Sequence, residues 1–250
     1  LSPLELLRFA RTCRAARTTV QVYLNARHGV NARLARFFDN PIAFRSLQAR
    51  TGTVISGAHA LHFFTGTPCF LSASLDIYVY PFHAPEIGRW LTEHDYEFVP
   101  DPGQDAEFEE VLLSDTIYTS VFHSDQYIAG QYTFARAASV DTPSIRMAVA
   151  EKTPMEAILG APATSCLNFL TYEKAYCLYP RATLHERRTL LLDSSGGETT
   201  QSNHFNTCTG SQLNILTELQ GEESASSSPH ASFPMGWRWV TDSSTYIVSL

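Results

Sequence analysis

Val54-Ile55-Ser56-Gly57-Ala58 and Ser74-Leu75-Asp76-Ile77-Tyr78-Val79 are the two stretches that decide how this chain is read. The first is a short β-forming run, Thr53 to Ser56, that stops at a glycine. The second is rich in β-branched and aromatic residues around a single aspartate, and its strand is expected over 75–80. Residues 59–64 between them are expected to be helical. The order is therefore strand, glycine turn, helix, strand. Outward from there, Pro85 to His94 predicts a helix with Ile87, Trp90 and Leu91 on one face. Further strands are expected at 96–99, 116–122, 131–136 and 144–150, and an acidic loop at 101–110 that runs into a short helix. Thr153-Pro154-Met155-Glu156 is a helix start with a capping box and a proline in its first turn. Residues 166–179 and 182–192 are expected to be helical. Trp237–Val240 and Thr245–Val248 are expected to form a terminal hairpin. Alternating helices and strands predict an α/β (α+β) body.

The front of the chain reads differently. Over 4–24, Leu6, Phe9, Cys13, Ala16, Val20 and Tyr23 recur at helical steps, which predicts one amphipathic helix. Asn31 is a candidate cap for a second helix carrying Leu34, Phe37 and Phe38. Asp39-Asn40-Pro41 starts a third, and Thr51-Gly52 ends it. Three regions result: an Arg-rich helical region at 1–50, a body at 51–192, and a polar, Ser-rich segment at 193–250 that ends in the expected hairpin.

The chain has 250 residues, 44% of them hydrophobic, enough to build a core and to exclude general disorder. No run of apolar residues is long enough for a membrane-spanning helix, so no membrane is expected. The chain opens without an initiator Met or an apolar signal segment, and is expected to begin inside a longer gene product. Residues 1–50 hold nine Arg and two acids, while 93–115 hold nine acids and no Lys or Arg. A basic arm on an acidic body points to an acidic partner, or to packing of the arm on the body; nucleic acid is not the expected partner. Five cysteines without metal or redox spacing, and no glycosylation sequon, point to an intracellular protein, cytoplasmic or nuclear.

The strand–Gly57–helix–strand order around Asp76 resembles the nucleotidyltransferase fold of DNA polymerase beta and its relatives. That resemblance implies a nucleotidyltransferase-like mixed sheet flanked by helices. Such enzymes place Gly-Ser after the first strand and two carboxylates, two residues apart, on the second. The glycine lets backbone approach phosphate and the hydroxyl binds it. Residues two apart share a strand face, so both carboxylates can hold Mg²⁺ for phosphoryl transfer. A third carboxylate comes from a later strand. Here the candidate nucleotide-binding residues are Ser56, Gly57, Ala58 and Ser74. Asp76 is the candidate catalytic and metal-binding residue. Ala58 stands where the serine belongs, Ser74 where the first aspartate belongs, and Arg146 lies on the later strand. A hard cation wants several anionic oxygens, so no cofactor is expected; Mg²⁺ enters only if the chain is active.

Ala43–Thr53, Ser74–Val79, Pro154–Leu159 and Tyr172–Ala175 with Tyr176 also resemble a fungal family expanded in mushroom-forming basidiomycetes. Its members pair an F-box-like N-terminus with a nucleotidyltransferase-like body. Leu4 to Arg14 resembles the second half of an F-box, which implies a Skp-type adaptor as protein partner through residues 4–24. The expected function is a non-catalytic intracellular binding protein on a degraded nucleotidyltransferase-like scaffold, an F-box-type adaptor among its roles. The alternative is a divergent nucleotidyl- or phosphoryl-transferase using Asp76 with Asp115, Asp125 or Asp141. His59 and His62 share a helix face and are expected to be packing residues before metal ligands. His204, Asn206 and Cys208 hint at a thiol site only by proximity.

Overall fold

In a computed structural model that describes residues 3–66, 74–102, 104–118, 127–136, 143–192, 213–219 and 231–250, four helices precede the sheet. Pro3–Ala10 (α1) and Arg14–His28 (α2) replace the single helix expected over 4–24. Cys13 breaks it: its backbone is extended and its Sγ accepts from Ala16 N at 3.4 Å, capping α2. Val30–Leu34 (α3) follows Gly29 and not an Asn31 cap, and Phe37 and Phe38 lie in the turn beyond it. Pro41–Thr51 (α4) starts as its sequence requires, with Asn40 Oδ1 accepting from Ala43 N at 3.1 Å. Gly52, at φ 66°, closes it in the left-handed region.

The body runs Val54–Ser56 (β1), Gly57–Thr65 (α5), Ser74–Val79 (β2), Ala84–Thr92 (α6), Glu97–Val99 (β3), Phe108–Tyr118 (α7), Ile128–Ala135 (β4) and Ser144–Ala150 (β5). Pro154–Leu159 (α8), Asn168–Leu170 (β6), Lys174–Cys177 (β7), Arg188–Leu190 (β8), Asn214–Leu216 (β9) and Tyr246–Ser249 (β10) complete it. Eight strands form one sheet in the order β10-β7-β6-β1-β2-β5-β4-β3, while β8 and β9 pair separately in parallel. The large sheet is mixed. β2 pairs antiparallel with β1 and parallel with β5; its other pairings are antiparallel. The expected α/β architecture is present: a mixed sheet flanked by helices, with a small helical region in front.

Several local expectations are corrected. Residues 166–179 are a hairpin, β6 and β7, after a short 3-10 turn at Thr164–Cys166. Thr171 makes its turn, its amide donating to Lys174 O and its hydroxyl accepting from Lys174 N. Tyr172 and Tyr176 are four apart, the spacing of a helix face, but Tyr176 stacks on Phe169 across the hairpin at 4.8 Å. Residues 182–192 hold one π-helical turn, Arg181–Glu186, and then β8. Thr116 to Tyr118 close α7 instead of opening a strand; the rest of 116–122 lies outside the described residues. Trp237–Val240 is irregular, and β10 pairs with β7 instead of with it.

One face of the sheet carries the main core. Ile55, Leu75, Ile77, Phe134, Ile145 and Met147 meet α3 to α7 there. On the other face α8 covers Val54, Phe169 and Leu178 through Ile158. The front of the chain belongs to the main core. Phe37, Phe38, Phe44 and Leu47 are buried in it, and Phe38 stacks on Phe44 at 4.2 Å. Tyr96 Oη donates to Phe37 O at 2.6 Å, and buried Gln48 Nε2 donates to Leu170 O at 3.0 Å. No helix among the described residues is long and apolar enough to cross a membrane.

Because Phe38 is 1% exposed and touches Phe44, Trp90 and Tyr96, Phe38→Ala should cost about 3–5 kcal/mol in urea unfolding, as a cavity inside one cooperative unit. A loss under about 1 kcal/mol would mean that α3 and α4 are an appendage and do not share the core.

Candidate functional site

Asp76 sits on β2 between two partner strands, so its cross-strand neighbours are set by register. Ser56 on β1 opposes it on one side and Arg146 on β5 on the other; Thr133 on β4 opposes Arg146. A polar row thus crosses four strands on the face away from the main core. Side chains alternate along a strand, so Tyr78, Gln131 and Ala148 share that face and line the same groove, with Asp101 at its edge. The enclosed space is about 80 Å³, well below the ~300 Å³ at which ligand pockets begin.

Arg146 Nε donates to Asp76 Oδ1 at 2.6 Å. Asp76 is buried, at 8% exposure, while Arg146 reaches partly into water. A buried carboxylate is costly unless a cation meets it, and here the cation is the guanidinium. Gly57, at φ 69°, lies directly against the same carboxylate. A Cβ there would overlap Asp76 Oδ2, and the backbone angle is one that side-chain-bearing residues rarely adopt. The glycine therefore lets backbone approach the Asp76 carboxylate.

The other predicted site residues do structural work. Ser56 is buried and its Oγ donates to Asn168 O at 2.8 Å, tying β1 to β6. Ala58 is buried at the start of α5. Ser74 opens β2, and its backbone takes a hydrogen bond from His59. The structure thus brings Gly57, Asp76 and Arg146 together, while the Ser56 hydroxyl is held by Asn168 O. Asp125 and Asp141 lie outside the described residues, as do His204, Asn206 and Cys208. Asp115 falls on α7. No group of three metal-ligating side chains occurs among the described residues. One carboxylate already held by a guanidinium does not fit Mg²⁺.

Sequence reasoning passed over Gln131 and Thr133. Their signal was present: polar residues alternate with buried Gly130, Tyr132 and Phe134 along β4, which marks a half-exposed face. Across the sheet, His59 is buried with its ring edge-on to Phe37 at 4.9 Å. Burial, with His62, Arg36 and Arg33 nearby, pushes its pKa down to about 3. His62 moves the same way, through burial and Arg33. Both are packing residues that hold α5 against the front of the chain.

Comparison with protein-family models, curated proteins and solved structures finds no match to this chain.

Arg146→Met should destabilise the protein by about 3 kcal/mol in chemical denaturation, since Asp76 is left buried without its cation. Asp76→Asn in that background should recover part of the loss; strictly additive effects would show that the pair is not coupled. A separate signature comes from His59. Its native pKa lies below the ordinary 6.5, so the unfolded chain takes up a proton first as pH falls. This stability is complete above about pH 6.5 and is lost progressively toward about pH 3. Melting temperature should drop between about pH 7 and 5, ahead of carboxylate titration, and His59→Gln should shrink that drop.

Proposed function

We propose that this chain is a non-catalytic binding protein built on a nucleotidyltransferase-like scaffold, with Arg146 standing where a later-strand metal ligand would stand. The observation that carries this reading is the Arg146–Asp76 pair at 2.6 Å. Strand order supports the likeness to that scaffold: β1, the Gly57 turn, α5 and β2 follow in sequence, and β5 lies beside β2. The residue of β5 in register with Asp76 is Arg146. A guanidinium there supplies the positive charge that a cation would have brought, and it repels a second cation. The Ser56 hydroxyl, the nearest candidate for phosphate, is spent on Asn168 O. What such a protein retains is surface, so its role is binding. The family resemblance names a Skp-type adaptor as one protein partner, through residues 4–24.

Two measurements test this. Melting temperature should not rise when nucleoside triphosphate is added with Mg²⁺ or Mn²⁺, to wild type or to Asp76→Ala alike. A ligand of the native state at a hundred times its Kd would add about 2.7 kcal/mol. A metal-dependent rise lost in Asp76→Ala, or triphosphate turnover lost with it, overturns the reading in favour of a divergent transferase. The scaffold claim has its own test. Ser74→Asp with Arg146→Glu places carboxylates on β2 and β5 around Asp76, and Mg²⁺ should then raise the melting temperature of that variant alone. A folded variant with no response to Mg²⁺ counts against the scaffold.

A further inference from the structure

Several arginines are held by carboxylates within the fold. Arg50, Arg89, Arg136, Arg146, Arg181, Arg188 and Arg238 each hold a carboxylate. Around the turn between α1 and α2 the pattern changes. Arg8, Arg11, Arg14 and Arg17 are all exposed and make no ion pair among the described residues. Glu5 is the one acid that α1 and α2 carry. Three large apolar residues of these helices also face water: Phe9 at 47%, Val22 at 62% and Tyr23 at 38%. A cationic surface with apolar side chains in it asks for an anionic surface with apolar side chains of its own.

The same chain carries such a surface. Glu93, Asp95, Glu97, Asp101, Glu107 and Glu110 are exposed from the end of α6 through β3 to the start of α7. Val99 at 45% and Leu113 at 67% stand exposed among them. Within one molecule, among the described residues, each surface packs chiefly on other elements. α1 packs on α2 and on the Arg181–Glu186 turn, and α2 continues to α3; β3 and α7 pack on α6 and β4. β3 is also an edge strand of the sheet, open to a neighbour.

We propose that the basic face of α1 and α2 docks on the acidic β3–α7 face of a second copy of this chain. Arginine suits that contact, because its planar fork binds carboxylate through two parallel hydrogen bonds. The paired faces differ, so two copies close a dimer only if both contacts form at once; otherwise association runs head to tail. This inference does not depend on the Asp76–Arg146 reading.

Sedimentation velocity over a concentration series reads it directly. In about 0.02 M salt the average mass should rise with concentration, and in about 0.5 M salt it should fall to the monomer, as the charges are screened. Arg8→Glu, Arg11→Glu, Arg14→Glu and Arg17→Glu combined make both faces acidic, and that protein should stay monomeric. Glu93→Lys, Glu97→Lys, Glu107→Lys and Glu110→Lys combined make both faces basic, with the same result. Mixing the two variants should restore association. All eight side chains are exposed, and circular dichroism confirms that each variant is folded; should one unfold, the wild-type salt series alone decides. A wild type that stays monomeric in low salt overturns the proposal, as does a charge-reversed variant that associates alone as wild type does. A Skp-type adaptor seated on α1 and α2 of a chain that is itself always monomeric overturns it as well.

Discussion

An aspartate in an inner strand of an eight-stranded sheet needs a cation within reach, and much of this protein is arranged around how Asp76 finds one. Its partner, Arg146, comes from a strand far along the chain, after α6, β3, α7 and β4 have been laid down. Parallel pairing of β2 with β5 puts the two residues side by side. A slip of one residue would turn Arg146 into the apolar core and take the guanidinium from the carboxylate. The ion pair therefore specifies register as well as neutralising charge. Gly57 completes the arrangement, since any side chain there would collide with the carboxylate.

The two faces of the sheet have different tasks. The core face is filled by aliphatic and aromatic side chains from the sheet and from α3 to α7. Among the described residues α8 covers part of the opposite face, and the polar row from Ser56 to Thr133 lies there. On the proposed reading, this is where a nucleotidyl-transfer site would have stood. Charge explains the difference between such a site and this one: two or three carboxylates need a divalent cation, whereas one carboxylate is satisfied by one guanidinium.

The front of the chain divides the same way. Its later residues, Phe37, Phe38, Phe44 and Leu47, are core, and their burial ties α3 and α4 to the sheet. Among its earlier residues whose burial is described, Ala16 and Val20 on α2 are buried, and Arg8, Arg11, Arg14 and Arg17 are exposed. Acids gather around β3 at one edge of the sheet, where their charge also guards that edge.

Local chemistry determined much of the architecture. Asn40-Pro41 and Thr153-Pro154 start helices because a side-chain oxygen and a missing amide suit a first helical turn. The β-branched runs at 54–56, 74–79 and 144–150 are strands, and Arg146 was legible as the residue opposing a metal at Asp76. Tertiary structure decided the rest. Tyr172 and Tyr176 have helical spacing, yet Thr171 turns the chain and Tyr176 stacks on Phe169 instead. Tyr246 to Ser249 is a strand by composition, but its partner is β7, which no neighbouring residue could have indicated. The Asp76–Arg146 contact belongs to both: sequence placed an acid and a base on two strands, and only the parallel register brought them to 2.6 Å. Helix caps and turns are short-range hydrogen bonds that a few residues specify, whereas strand pairing joins distant segments through the burial of whole faces.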